Sequence, residues 1–354
     1  MDTKRGIVWL LFIFNCYAGF SQSTPPIRNY KIVDSIAKTI HYKNDLKLLT
    51  ANLTDKYTSE FDKARALFIW ITDNIAYDYK FVNKNKKIKQ PKCKAGQDCS
   101  AIQLAWEDHY LHKVITKQKA ICDGYSRLFK LMCGYAGISC SMVDGYTKSE
   151  PSQVGKMGIF NHSWNAIKID GNYYFIDATW ASGGCDKKDN GKLGKFKKHF
   201  ENYFWLTPVD KLSRDHFPKD SVWVRNTTYA KAKVAYKNTP YIKQGKEAAI
   251  TILYPETGLL NAKAGDTIKF KIDYDGVISK LQINTNVTSN PNIFRTVKNK
   301  QIINDVALQK QKYINFSVQD NAYVFEYVLT DKNTRYIDIL FDYERMIRFK
   351  VNML

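Results

Sequence analysis

The chain of 354 residues is 44% hydrophobic, 25% charged and 14% aromatic, which excludes a disordered or low-complexity polypeptide and leaves material for a sizeable core. Lys and Arg outnumber Asp and Glu by 54 to 34, a formal net charge of +20, yet only ten of the 54 are Arg. Scattered lysines without Arg forks or aromatic interleaving describe a solvated surface with a loose attraction for anions, and they argue against a nucleic-acid reader.

At about 100 to 200 residues per domain, the length suggests two domains. Residues 1–21 read as an export signal: Lys4 and Arg5, an apolar run from Ile7 to Phe14, then Gly19, Phe20 and Ser21 with small-x-small spacing. The run falls short of the ~20 residues a spanning helix needs, so a membrane anchor is not expected. Phe14 and Asn15 precede Cys16 where lipidation would want small residues. The expected mature chain starts near Gln22, is secreted or periplasmic, and meets an oxidising compartment.

Two helices are predicted within residues 31–77. Val33, Ile36, Ala37 and Ile40 recur at helical spacing, as do Phe61, Ala64, Leu67, Phe68, Ile71 and Ile75. Residues 82–100, rich in Lys and holding Pro91, Cys93 and Cys99, break the periodicity and read as a loop. A helix then starts at Cys122, with Tyr125, Leu128, Phe129, Met132 and Ala136 on one face and Gly134 and Gly137 as stops. Strands are expected at 138–147, 162–169 and 172–179, and the charged stretch Lys187 to Lys198 as an exposed loop. Past Trp223, short Val-, Ile-, Tyr- and Phe-rich segments at 248–253, 267–273, 277–286, 322–329 and 335–350 suggest a small antiparallel sandwich. The expected domains are therefore 22–228, helices packed on an antiparallel sheet, and 229–354, an all-β sandwich; the fold class is α+β.

Six cysteines follow the signal: Cys93, Cys99, Cys122, Cys133, Cys140 and Cys185. An even count invites three disulfides, but a thiol kept for chemistry leaves at least one more unpaired. Cys93 and Cys99 flank a short loop and form the first candidate pair. No Cys-x-x-Cys and no Cys/His set with zinc spacing occurs, nor an Asp/Asn cluster with calcium-loop spacing, so no metal or cofactor is expected.

The chemistry concentrates between Ala120 and Thr179. Asp170-Gly171 fits a two-residue primed turn, which pairs Ile169 with Asn172, Trp164 with Asp177 and His162 with Thr179. His162 and Asp177 then share a face as diagonal neighbours, roughly 7 to 8 Å apart at Cα, where a carboxylate can orient an imidazole. Cys122, on the first turn of its helix, would feel unsatisfied N–H groups and the positive dipole end, and a neighbouring imidazolium would lower its pKa further. A thiolate nucleophile, an imidazole acid and base and an orienting carboxylate together make a nucleophilic triad. The Cys122 N–H, with Gln118 as a weaker second, would bind an oxyanion. Trp164 and Trp180 read as core or cleft wall, His216 as a turn residue, and His41, His109, His112 and His199 as lacking partners.

Ala120-Ile121-Cys122-Asp123-Gly124-Tyr125-Ser126, His162-Ser163-Trp164-Asn165 and Ile176-Asp177-Ala178-Thr179-Trp180 resemble three motif blocks of the transglutaminase-like superfamily. Lys63 to Ile71 running into Asn74-Ile75-Ala76-Tyr77-Asp78, Tyr203 to Pro208, and His216-Phe217-Pro218 are similar to its kyphoscoliosis-peptidase-like branch. The resemblance covers roughly residues 40 to 225. It implies a papain-like fold with Cys122, His162 and Asp177 as the catalytic triad. Two departures stand out: Ala120-Ile121 where Gly-Val is common, and the lysine-rich insert with Cys93 and Cys99, which can cover or shape the cleft. The expected activity is thioester-mediated acyl transfer on peptide or glutamine-type amides, hydrolysis before cross-linking, with a peptide, protein or cell-envelope polymer as partner. The alternative is a non-catalytic peptide or cell-surface polymer binding module with a vestigial triad.

Overall fold

Three helices, not two, open the described chain: α1 (Lys31–Thr39), α2 (Leu46–Thr54) and α3 (Glu60–Asn74). The computed structural model describes residues 27–188, 190–224, 227–297 and 300–354, so the expected export signal lies outside the described residues. The additional helix, α2, is nine residues long and begins at Asp45, whose carboxylate accepts the Leu48 N–H at 2.9 Å. α3 is buried on every side through Phe61, Ala64, Leu67, Phe68, Trp70 and Ile71, and forms the centre of the first core. Arg65 is buried within it because its guanidinium is satisfied: two nitrogens donate to Asp34, each at 2.7 Å, and a third to Asn202.

β1 (Ala76–Tyr77) and α4 (Tyr79–Asn83) lead into the lysine-rich insert, where Cys93 and Cys99 are disulfide-bonded. The insert runs into α5 (Cys99–Lys117), a helix that periodicity does not reveal, since only Leu111, Val114 and Ile115 of its 19 residues are buried. Its one sequence signal is Asp98, whose carboxylate accepts the Ser100 and Ala101 N–H groups. β2 (Lys119–Ala120) pairs in parallel with β1 and delivers the chain to α6 (Cys122–Tyr135).

Next come β3 (Ser139–Thr147), β4 (Phe160–Ile169), β5 (Asn172–Ile176), the short helix α7 (Ala178–Ser182), the hairpin β6 (Gly183–Lys187) and β7 (Leu193–Lys198), α8 (Val209–Leu212) and β8 (His216–Pro218). The main sheet has the order β5-β4-β3-β8, and α6 packs on β3 and β4. Stretch 187–198, expected as a loop, is largely this β6–β7 hairpin, turned at Gly191 with φ 76°. In the β4–β5 hairpin both turn residues are left-handed, Asp170 at 49° and Gly171 at 80°, and pairing runs as expected from Ile169–Asn172 to Asn165–Ile176. There it stops. Asp177 leaves the ladder to cap α7, accepting N–H groups from Thr179 at 2.8 Å and Trp180 at 3.1 Å. The expected Trp164–Asp177 and His162–Thr179 pairs are therefore absent, because a local side-chain cap replaces the last ladder bonds, and His162 lies opposite Gly145 of β3 instead.

The rest of the chain contains α9 (Tyr229–Asn238), β9 (Tyr241–Ile242), β10 (Ile250–Tyr254), β11 (Leu259–Ala262), β12 (Thr267–Tyr274), β13 (Leu281–Thr285), β14 (Phe294–Val297), β15 (Lys300–Ile303), α10 (Asp305–Gln309), β16 (Ser317–Gln319), β17 (Ala322–Val328), β18 (Tyr336–Phe341) and β19 (Glu344–Met353). Sheet β10-β12-β17-β16 and sheet β11-β19-β18-β13, extended by β9 on β19, enclose a second hydrophobic cluster around Phe270, Ile272, Phe325, Ile339, Ile347 and Phe349. Segment 335–350 divides into two strands at Asp342 and Tyr343, which take φ of 49° and 73°. The sheets are not wholly antiparallel, for β11 runs parallel to β19. α9 packs on β8, where Tyr236 meets Phe217 with ring centroids 5.3 Å apart.

Candidate active site

Cys122 is the first residue of α6, preceded by Ile121 in extended conformation, which supplies no side-chain cap. The helix start therefore presents unsatisfied backbone N–H groups and the positive end of its dipole beside the sulfur. Two side chains fix this helix on β4: Ser126 donates from Oγ to the Ser163 carbonyl at 2.9 Å, and Asn165 donates from Nδ2 to the Ser126 carbonyl at 3.0 Å. These bonds set the spacing between Cys122 and His162.

His162 is 8% exposed and Asp177 1%. The Nε2 of His162 donates to Oδ2 of Asp177 at 2.6 Å, although the strand register that was to align them ends one residue earlier. The cap itself makes the alignment: one Asp177 oxygen holds the α7 N-terminus and the other is left for the imidazole. The Cys122 side chain neighbours the same imidazole. The Cys122 Sγ also lies 3.6 Å from the Asn161 carbonyl oxygen.

Burial opposes charge on the His162 ring, but the Asp177 carboxylate and then the Cys122 thiol outweigh it and push the imidazole up to about 10. Burial likewise opposes ionisation of Asp177; His162 and then His216 outweigh it and hold the carboxyl well below the usual range. An imidazolium beside the thiol and a carboxylate behind it is the charge distribution a thiolate nucleophile requires.

His216 is the residue that sequence reasoning missed. Expected in a turn, it lies on β8, pairs with Thr147 of β3, and is 1% exposed. Its Nε2 donates to Asp177 Oδ2 at 3.1 Å and its Nδ1 donates to Asp215 Oδ1. Both ring nitrogens face carboxylates; burial opposes charge on the ring, and Asp215 and then Asp177 outweigh it and raise the imidazole above its ordinary value. Only the motif His216-Phe217-Pro218 hinted at this, because the pairing with Asp177 spans 39 residues. One ring nitrogen each of His162 and His216 and an Asp177 oxygen lie within 4.8 Å of one another, a grouping of groups able to hold a metal ion that spacing along the chain does not reveal.

Aromatic rings close the site. Trp164 and Trp180 lie 6.0 and 5.7 Å from the His162 ring, and Trp180 is 4.6 Å from His216, which makes both tryptophans walls. Gly145, opposite His162, is required by close approach: a Cβ there would stand 2.2 Å from the Phe217 carbonyl oxygen and 2.6 Å from the Trp164 ring. Gln118 sits at the left-handed C-cap of α5, exposed, and its carbonyl accepts the Ala76 N–H. His199, expected without a partner, has its Nε2 2.8 Å from a Glu201 carboxylate oxygen at the surface. Among the described residues Cys122, Cys133, Cys140 and Cys185 are free thiols, so of the three disulfides the cysteine count allows, only Cys93–Cys99 forms.

Residues 47–178 match a family model described as the transglutaminase-like superfamily. The kyphoscoliosis peptidases of Mus musculus and Homo sapiens are 28% and 26% identical over 250 and 249 residues, which is 69% of this chain and 34% of each relative. The chain thus spans about a third of the length of the curated relatives it matches. A solved transglutaminase ("TGase") structure aligns with 50% of this chain and 37% of its own at 18% identity, with a TM-score of 0.27.

Proposed function

We infer, for a chain that carries a transglutaminase-like domain, a cysteine-dependent acyl transfer on peptide or glutamine-type amides, with water as the ordinary acceptor. The observation that carries the reading is the 2.6 Å bond between His162 and Asp177, on a ring that the Cys122 side chain also neighbours. In this reading the Cys122 thiolate attacks the amide carbonyl and the oxyanion is met by the Cys122 N–H at the start of α6. The C–N bond then breaks as His162 gives its proton to the departing amine, leaving a thioester. Water loses a proton to His162 and adds to the thioester carbon; the C–S bond breaks and the thiolate is restored. Asp177 holds the ring in place throughout and His216 holds Asp177.

Relatives named as peptidases favour hydrolysis over transfer to an amine, and the N-terminal sequence favours an exported protein. Intact mass spectrometry of the protein with a peptide library and a primary amine tests the proposal. Shortened peptides support hydrolysis, and peptide–amine adducts support transfer. Neither product, with Cys122→Ala indistinguishable from the parent, defeats the enzymatic reading and leaves the binding module.

A further inference from the structure

The lysine-rich insert and the β6–β7 hairpin are 110 residues apart in sequence and adjacent in space. Asn83, at the end of α4, makes two reciprocal bonds with Leu193 of β7: its Nδ2 donates to the Leu193 carbonyl at 2.9 Å and its Oδ1 accepts the Leu193 N–H at 2.8 Å. The insert is also fastened towards the nucleophile helix. Trp106 of α5 donates from its indole to the Lys89 carbonyl at 2.9 Å, and the Arg127 guanidinium sits 5.3 Å over the Trp106 ring. Arg127 in turn bonds Asp123, the residue after Cys122. The other arm begins at Asp177 itself, since α7 runs directly into β6. Both lysine arms are thus anchored to elements that carry the candidate triad, and Cys93–Cys99 ties off the loop of the first.

Between residues 84 and 97 the insert holds six lysines and no acid, all six exposed. On the hairpin, Lys187, Lys197 and Lys198 pair with Glu150, Asp186 and Asp73. Among the described residues, no ion pair engages Lys86, Lys87, Lys89, Lys188, Lys192 or Lys195. Holding that many like charges together opposes folding through mutual repulsion, so the fold sustains a local positive field that its own acids leave uncompensated.

We propose that the two arms form one cationic shelf beside Cys122 that takes an acidic polypeptide, an Asp- and Glu-rich stretch flanking the amide to be attacked. The proposal deepens the acyl-transfer reading by naming its substrate class, and rests on that reading for the word substrate. Lysine ammoniums are point charges suited to flexible carboxylates, without the bidentate forks of phosphate recognition. The neighbouring aromatics Phe81 and Phe196 are half-buried and offer no open faces for stacked bases.

Fluorescence anisotropy on full-chain Cys122→Ser, with a labelled Glu/Asp-rich peptide, an uncharged Gln/Asn-rich peptide of equal length and a single-stranded oligonucleotide of equal charge, tests the shelf. The acidic peptide is expected to bind at least about tenfold more tightly than the uncharged one at low salt. That advantage shrinks towards ~0.15 M ionic strength, where the Debye length is about 8 Å. Combining K86S, K87S and K89S with K188S, K192S and K195S removes the advantage, and either triple removes part of it. Equal affinity for the two peptides, tighter binding of the oligonucleotide, or unchanged binding by the sixfold variant overturns the proposal. The assayed protein lacks the thiol, so these outcomes are independent of thioester chemistry. An inert thiol in the parent protein would defeat the catalytic reading alone.

Discussion

Two buried carboxylates, one in each half of the molecule, are answered in different ways. In the second half the buried acid Asp338 meets two nitrogens of Arg348 and, through a third bond, Arg345, so its charge is answered by guanidinium groups that do not give up their protons. In the first, Asp177 is answered by two imidazoles, groups whose protons can be given up. A guanidinium partner suits a fixed charge and an imidazole partner suits proton transfer, because an imidazole changes charge near neutrality and a guanidinium does not. Reactivity therefore belongs where a carboxylate is paired with histidine.

Removing the sulfur puts the greatest load on this contrast. Cys122→Ala should lower modification by iodoacetamide at about pH 6, and any turnover, by a factor of about a thousand or more, with the melting temperature nearly unchanged. Equal labelling of the variant would move the reactive thiol to Cys185 or Cys140. Asp177→Asn should cost about a thousandfold or more in turnover while keeping the helix cap, because an Asn oxygen still accepts the Thr179 and Trp180 N–H groups.

The same variant sharpens the comparison through pH. The folded state holds the His162 proton up to about 10, against about 6.5 in an unfolded chain, so the stability it contributes is complete below about 6.5 and is lost as pH rises through about 10. Melting temperatures measured across that window should fall less steeply in Asp177→Asn than in the parent. Lys148, which burial lowers to about 7, acts in the opposite sense in both proteins and drops out of the difference.

His216→Gln should reduce turnover by about ten- to a hundredfold, since a neutral amide still donates to Asp177 but brings no positive charge. It should also shift the alkaline limb of the alkylation profile upward, because loss of a neighbouring cation makes His162 more basic. A merely structural role would lower stability and leave that limb in place. The smallest effect on chemistry is expected in the sandwich: Phe349→Ala should destabilise it by about 3 to 5 kcal/mol and leave Cys122 alkylation unaltered. Coupled loss of reactivity would show that the halves do not act separately.

The elements that could be read in advance had a strong local cause. The helix at Cys122 follows from its apolar face, and the β4–β5 hairpin from Asp170-Gly171, whose left-handed backbone fixes five pairs in register. α5 escaped because a mostly exposed helix carries little periodicity, and the 187–198 hairpin because lysines on both strands hide its alternation. The strand register that would align His162 with Asp177 ends before it reaches them, and they meet through a helix cap instead.

Read alone, the sequence determined which residue types are present for the chemistry, where a thiol opens a helix, and that a mixed helical half precedes a strand-rich one, because these depend on composition and on turns only a few residues long. Tertiary structure decided that His216 stands behind Asp177 and that Asn83, at the start of the lysine-rich insert, meets Leu193 of the β6–β7 hairpin 110 residues away. Those facts rest on strand order and on single hydrogen bonds across the fold, and such contacts leave no periodic trace along the chain.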